Sequence, residues 1–198
     1  MVSTQMKKVL VIGSSSFVGK NICQKLKNSY EIIEANSKNC DLKNIDNINS
    51  FFSKIDDLYG MIYCSAIKSD ADALSSCETL KDIIDVNLYG AIHCMQQSLN
   101  KMKYGKMIIL GSADGTFANY KKTMYAVSKA ALHVYTKCFA VQAKKHDVDV
   151  TCLVLGTVDS YEKLDAISDF TNCYLDGKLR NLNAQLIRID GGHHTFPL

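Results

Sequence analysis

The sequence predicts an α/β protein, a single doubly wound domain on a parallel sheet of about seven strands with helices on both faces. Three observations lead there. Short apolar runs rich in valine and isoleucine recur along the chain and read as strands buried on both sides. Stretches of helical character separate them, so each repeat reads as a βαβ unit. The first run also ends in a turn of glycine and serine, and sheets of this kind bind ligands where strand ends meet helix starts.

In chain order, KKVLVIG (residues 7–13) is the first strand, followed by a helix through Leu26. YEIIEA (30–35) is the second strand and NIDNINSFFSKI (44–55) a short helix. YGMIYCSA (59–66), GKMIILGS (105–112), VDVTCLVLG (148–156) and AQLIRIDGG (184–192) are the remaining buried runs. Residues 80–102 read as one helix with an apolar stripe through Leu80, Ile84, Leu88, Ala91, Met95 and Met102. YAVSKAALHVYTKCFAVQA (125–143) reads as a helix apolar around most of its circumference, and YEKLDAISDFTNCYLDG (161–177) as another. The single proline, Pro197, breaks none of these. No linker, internal repeat or low-complexity tract is visible, so residues 1–198 are read as one domain.

Composition narrows the function classes. Hydrophobic residues are 47% and charged residues 22% of the 198, as in ordinary globular proteins, and the net charge is +3 with scattered lysines. That pattern gives no reason to expect nucleic acid or a membrane surface as partner. No apolar stretch reaches the roughly 18 residues of a membrane span, and no signal-peptide core precedes a cleavage site. The eight cysteines form no C-x-x-C pair, and Cys23, Cys64, Cys94, Cys138 and Cys152 fall singly in apolar segments. Free cysteine there acts as a small hydrophobe, so a reducing cytoplasm is expected and a metal site is not.

Candidate chemistry lies at the strand ends. In VIGSSSFVGKNI, Gly13 can make the tight turn, Ser14, Ser15 and Ser16 can offer hydroxyl and N–H groups, and Gly19 allows close packing as the helix begins. The positive end of that helix suits a pyrophosphate. Asn87 lies beside the apolar stripe at mid-helix, and Ser112 ends a strand. Tyr125 and Lys129 are spaced to share a helix face one turn apart.

Together these segments resemble the short-chain dehydrogenase/reductase family, from about Lys7 to Gly192. DIIDVNLYG is similar to the segment around that family's catalytic asparagine, KMIILGSADG to the strand and turn supplying its serine, and YAVSK to its tyrosine-to-lysine motif. VTCLVLGTVDS and QLIRIDGG resemble its later nicotinamide-side loop and its last strand. The resemblance implies a Rossmann domain, a catalytic set of Asn87, Ser112, Tyr125 and Lys129, and a bound nicotinamide dinucleotide. It places the cofactor against Gly13, Ser15, Ser16, Phe17, Val18 and Gly19, then Asn36, Ser37, Lys38, Asp41 and Leu42. Cys64, Ser65, Ala66, Gly156 and Val158 complete the expected contacts, with Tyr125 and Lys129. The chain departs from the pattern at Phe17, where the middle glycine is usual, at Tyr63–Cys64–Ser65–Ala66 for Asn-Asn-Ala-Gly, and at Leu155–Gly156 for Pro-Gly. Only 34 positions separate Gly156 from Asp190, so most of the substrate-covering segment is expected to be missing.

The implied reaction is hydride transfer between the nicotinamide and a carbonyl or alcohol. A free tyrosine has a pKa near 10, and a cationic lysine one turn away is expected to lower it. By resemblance, Lys129 also bonds the nicotinamide ribose, Ser112 bonds the carbonyl oxygen, and Asn87 holds a water linking Lys129 to solvent. An acidic residue after the second strand would favour NAD by binding the ribose 2′-hydroxyl. Asn36 stands there instead, with Ser37 and Lys38 beside it, so NADP(H) is favoured. Candidate substrates are a 3-oxoacyl thioester, a sugar-derived ketone or a polyketide-like intermediate. A nucleotide-binding sensor without turnover is the alternative. The apolar circumference of 125–143 predicts a homodimer or homotetramer.

Overall fold

Each apolar run forms a strand, and the alternation of its side chains shows why. In the computed structural model, which describes residues 6–192, the order is β1 (Lys8–Ile12), α1 (Phe17–Leu26), β2 (Glu31–Ala35), α2 (Ile45–Phe52) and β3 (Leu58–Tyr63). Then come α3 (Cys77–Ile84), a π-helical turn (Asp85–Gly90), α4 (Ala91–Leu99), β4 (Met102–Ser112), α5 (Thr123–Ala143), β5 (Val148–Leu155), α6 (Tyr161–Leu175) and β6 (Leu186–Ile189). The strands are parallel in the order β2-β1-β3-β4-β5-β6. Leu10, Ile12, Met61, Met107 and Ile109 point into one layer with α2, α4 and α5. Their neighbours Val9, Val11, Ile62, Ile108 and Leu153 point into the other with α1 and α6. Both faces are apolar, so helices must cover both.

Helix starts follow local chemistry. Ser16, Asn44, Ser76 and Ser160 each precede a helix and accept a hydrogen bond from the N–H three residues on, satisfying a donor the helix leaves open.

Among the described residues the sheet has six strands, in line with the approximate count of seven expected. The stretch after β2 is tied into a turn: Asn39 accepts from the Asn36 N–H at 2.8 Å and donates to the Glu34 carbonyl at 3.0 Å. Two expectations need correction. Residues 80–102 are two helices flanking a π-helical turn, and Met102, counted in the stripe, begins β4 opposite Leu58. Cys138 is exposed on the outer side of α5, although its segment is apolar. Pro197 lies outside the described residues. No group of potential metal ligands occurs among the described residues.

Two features frame the site. Between Gly156 and Asp190 the chain makes α6 and β6, and α6 leans on α1 through Ser168–Asn21 (2.5 Å) and Lys25–Asp169 (2.6 Å). It covers the sheet face and leaves the strand ends open. On α5, Val127, Val134 and Val141 stand seven residues apart on one outward stripe, 47%, 63% and 64% exposed.

Candidate active site

The chain crosses from one side of the sheet to the other between β1 and β3, and a cleft opens over the strand ends there. It comprises adjoining cavities of about 770 Å³ and about 360 Å³, both touching Ser16 and Ala66. The turn after β1 forms the wall between them. Gly13 has φ +83°, and a Cβ there would lie 2.7 Å from the Ser65 nitrogen. A Cβ on Gly19 would lie 2.2 Å from the Gly13 carbonyl oxygen, so side chains are excluded at both positions. Ser16 fastens the turn by donating to the Gly13 carbonyl (2.8 Å) and accepting from the Gly19 N–H (3.0 Å). The N-terminus of α1 is thereby presented to the cleft, a position that favours an anion.

The smaller cavity takes in Gly13, Ser15, Asn36, Ser37, Asp41, Leu42 and Ser65. Asn36 spends its side-chain oxygen on the Lys38 N–H (3.0 Å), which shapes the turn, and Asp41 is the carboxylate on the cavity wall among the described residues. Lys38 is exposed and off the wall, and Lys43 stands on it instead. The larger cavity collects Phe17, Val18, Cys64, Ser112, Tyr125, Lys129, Gly156 and Val158. Phe17 is half-exposed and packs edge-on against Tyr161 at 6.2 Å.

Ser112 ends β4, and its hydroxyl accepts from the Asp114 N–H at 3.2 Å and hydrogen-bonds Tyr125. Lys129 is 2% exposed and donates to the Leu110 carbonyl at 2.9 Å. Asn87 is fully buried in the π-helical turn and lines neither cavity. Its amide donates to the Ile67 carbonyl (3.0 Å) and Ser128 hydroxyl (3.1 Å), and its oxygen accepts from the Ile67 N–H (2.7 Å). Both amide hydrogens are thereby used, so the side chain pins the loop of Ser65 to Ile67 to α5. A π-helical turn widens the backbone at this point, as such turns often do beside functional sites.

Electrostatics correct one expectation. Burial pushes the Tyr125 phenol above its ordinary pKa, Ser112 lowers it in part, and the Asp114 charge raises it. Lys129 does not pull it down, because the ammonium is turned to Leu110 and is itself lowered to about 8 by burial. Tyr125 is therefore a neutral phenol at pH 7, the form that can donate a proton.

The sequence reading missed His133. It lies one turn beyond Lys129 on α5, buried, and its Nε2 accepts from the Ser112 N–H at 3.3 Å. Burial first, then the charges of Lys129 and Arg188, lower it to about 4, so it is a neutral acceptor. The four-residue spacing from Lys129 was the available signal. Lys68, Asp114, Phe117 and Lys122 also line the larger cavity and were not singled out.

A family model for short chain dehydrogenases matches residues 1–167. The 3-oxoacyl-[acyl-carrier-protein] reductase FabG of Rickettsia typhi is 29% identical over 157 residues, covering 77% of this chain and 63% of the reductase. The match thus spans less than two thirds of that relative's length. A short chain dehydrogenase family protein from Francisella tularensis shares the fold with a TM-score of 0.86 at 20% identity, over 96% of this chain and 100% of that one. ElxO with NADP bound gives a TM-score of 0.82 at 17% identity, over 97% of this chain and 100% of that one.

Proposed function

The chain belongs to the short chain dehydrogenase family, and on that premise we propose an NADP(H)-dependent oxidoreductase acting on a carbonyl or hydroxyl group of a small molecule. The observation that carries this reading is the convergence of Ser112, Tyr125 and Lys129 on one cavity beside the turn at Gly13 and Gly19. That turn suits a dinucleotide, since the close packing allowed by Gly13 and Gly19 keeps it tight and brings the N-terminus of α1 to the cleft. When bound, the nicotinamide supplies the hydride.

The protein's part is to position and to move a proton. Tyr125, a neutral phenol, donates to the carbonyl oxygen as negative charge develops there. The Ser112 hydroxyl hydrogen-bonds the same oxygen, and His133 fixes the Ser112 backbone. Lys129, which lines the same cavity one turn along α5, would hold the ribose hydroxyls of a bound dinucleotide. Asn87 holds the loop that floors the cleft. Asn36 in place of a carboxylate, with Ser37 and Lys43 on the wall, supports NADP(H), as does the likeness to a structure with NADP bound.

The relative that reduces 3-oxoacyl-[acyl-carrier-protein] supports a 3-oxoacyl thioester or another small ketone as substrate. The outward valine stripe of α5 supports a homodimer or homotetramer, since a second copy would cover it. Eight cysteines, none paired among the described residues, support a reducing cytoplasm, and no described helix is long and apolar enough to cross a membrane. Loss of NADPH absorbance across a panel of 3-oxoacyl thioesters, ketoses and simple ketones tests the reading. Turnover of one class, faster with NADPH than NADH, is expected. NADPH binding without turnover of any would favour a non-catalytic sensor, consistent with Phe17 in the turn and the open cleft.

A further inference from the structure

We propose that the substrate carries an anionic group, a carboxylate or phosphate ester, held by Lys68 and Lys122 while its carbonyl meets Tyr125. The inference deepens the oxidoreductase reading and rests on it. Both lysines line the cavity that holds Ser112 and Tyr125. Their backbones are anchored. Lys68 follows Ile67, whose N–H and carbonyl are both bound by Asn87. Lys122 immediately precedes α5, three residues before Tyr125.

Charge on the wall is unbalanced. Among the described residues neither ammonium pairs with a carboxylate, whereas Lys25, Lys144 and Lys163 each do. The one carboxylate lining this cavity, Asp114, accepts a hydrogen bond from the Asn119 amide at 2.9 Å. Within this cavity Lys68, Lys122 and the buried Lys129 share the wall with Asp114, while Lys122 also borders a neighbouring surface cavity with Asp70 and Asp72; the concave wall concentrates the excess positive potential. The phosphates of a bound dinucleotide would have their own seats, at the Gly13 turn and in the smaller cavity. Between Gly156 and Asp190 only Thr157 and Val158 line the cleft among the described residues, so the two cations supply the grip that a covering lid would otherwise give. A short oxo acid or a phosphorylated ketone, with the matching alcohol in reverse, has the required chemistry.

The test compares acetoacetate with methyl acetoacetate, and dihydroxyacetone phosphate with dihydroxyacetone, in the wild type, Lys68→Gln, Lys122→Gln and the double variant. Turnover with NADPH is measured alongside calorimetric binding of acetoacetate and inorganic phosphate. The anionic member of at least one pair should be preferred. Each substitution should cost it about tenfold in kcat/KM, chiefly through KM, and leave its neutral partner and NADPH affinity unchanged. Which pair responds separates carboxylate from phosphate. Equal use of charged and neutral partners, or equal losses for both in the variants, overturns the proposal. If the wild type turns over neither member of either pair, binding decides. Anion binding lost in the double variant keeps the subsite while counting against the oxidoreductase reading, and absence of anion binding overturns the subsite.

Discussion

Replacing Lys129 with methionine should trade activity for a pH-dependent gain in stability. Burial lowers the Lys129 pKa from 10.5 to about 8. Below pH 8 the ammonium is charged in both folded and unfolded chains, so the folded state carries the full cost of burying it. Between 8 and 10.5 the unfolded chain keeps the proton and the folded chain releases it, so the cost is relieved as pH rises. The whole difference is worth about 3 kcal/mol, and about 2 kcal/mol of it is relieved between pH 7 and 9.5. Methionine is of similar length and uncharged, but it loses the 2.9 Å bond to Leu110, leaving a carbonyl unpaired at about 1–3 kcal/mol. At pH 7 the variant should therefore match or exceed the wild type by up to about 2 kcal/mol. At pH 9.5 that margin should have fallen by about 2 kcal/mol, whatever the Leu110 contribution. Urea unfolding of both proteins at the two pH values measures this. A stability difference that does not change with pH would refute the buried-charge argument.

Gly19→Ala should lower stability by about 2–4 kcal/mol and weaken NADPH binding, because its Cβ meets the Gly13 backbone at 2.2 Å and the Ser16 cap must break. A thermal melt and a cofactor titration check it, and an unchanged melt would show that the turn can relax. Val134→Glu places a charge in the outward stripe and should yield a monomer by light scattering with its melting temperature scarcely moved; a wild type already monomeric contradicts the interface. Asn36→Asp keeps the acceptor for the Lys38 N–H but adds a charge facing a 2′-phosphate, so it should shift preference from NADPH towards NADH.

The fold was legible wherever pattern follows from burial. Runs such as KMIILG and VTCLVL sit between two helical layers, so both faces had to be apolar and the strands could be read directly. The end of the 80–102 helix was not legible, because Met102 continues the helical stripe while its backbone pairs with Leu58. Tertiary pairing overrode a local periodicity. At the site, Ser112, Tyr125, Gly13 and Asn36 could be named because motif and spacing fix them. Lys38 could not be separated from Lys43, since only the Asn36–Asn39 turn decides which lysine faces the cavity. The direction of the Tyr125 shift was also hidden. It depends on burial and on where the Lys129 ammonium turns, and spacing along a helix reports neither.

Tyr125→Phe is the most direct test of the account. The substitution removes one oxygen from a buried ring and leaves Gly13, the loop of Ser65 to Ile67 and Lys129 in place. On a carbonyl compound the wild type reduces, kcat should fall by a factor of about 10² to 10⁴, the usual consequence of losing a general acid, with NADPH affinity nearly unchanged. A Tyr125→Phe protein that reduces the same compound at the wild-type rate would contradict the assignment of Tyr125 as proton donor.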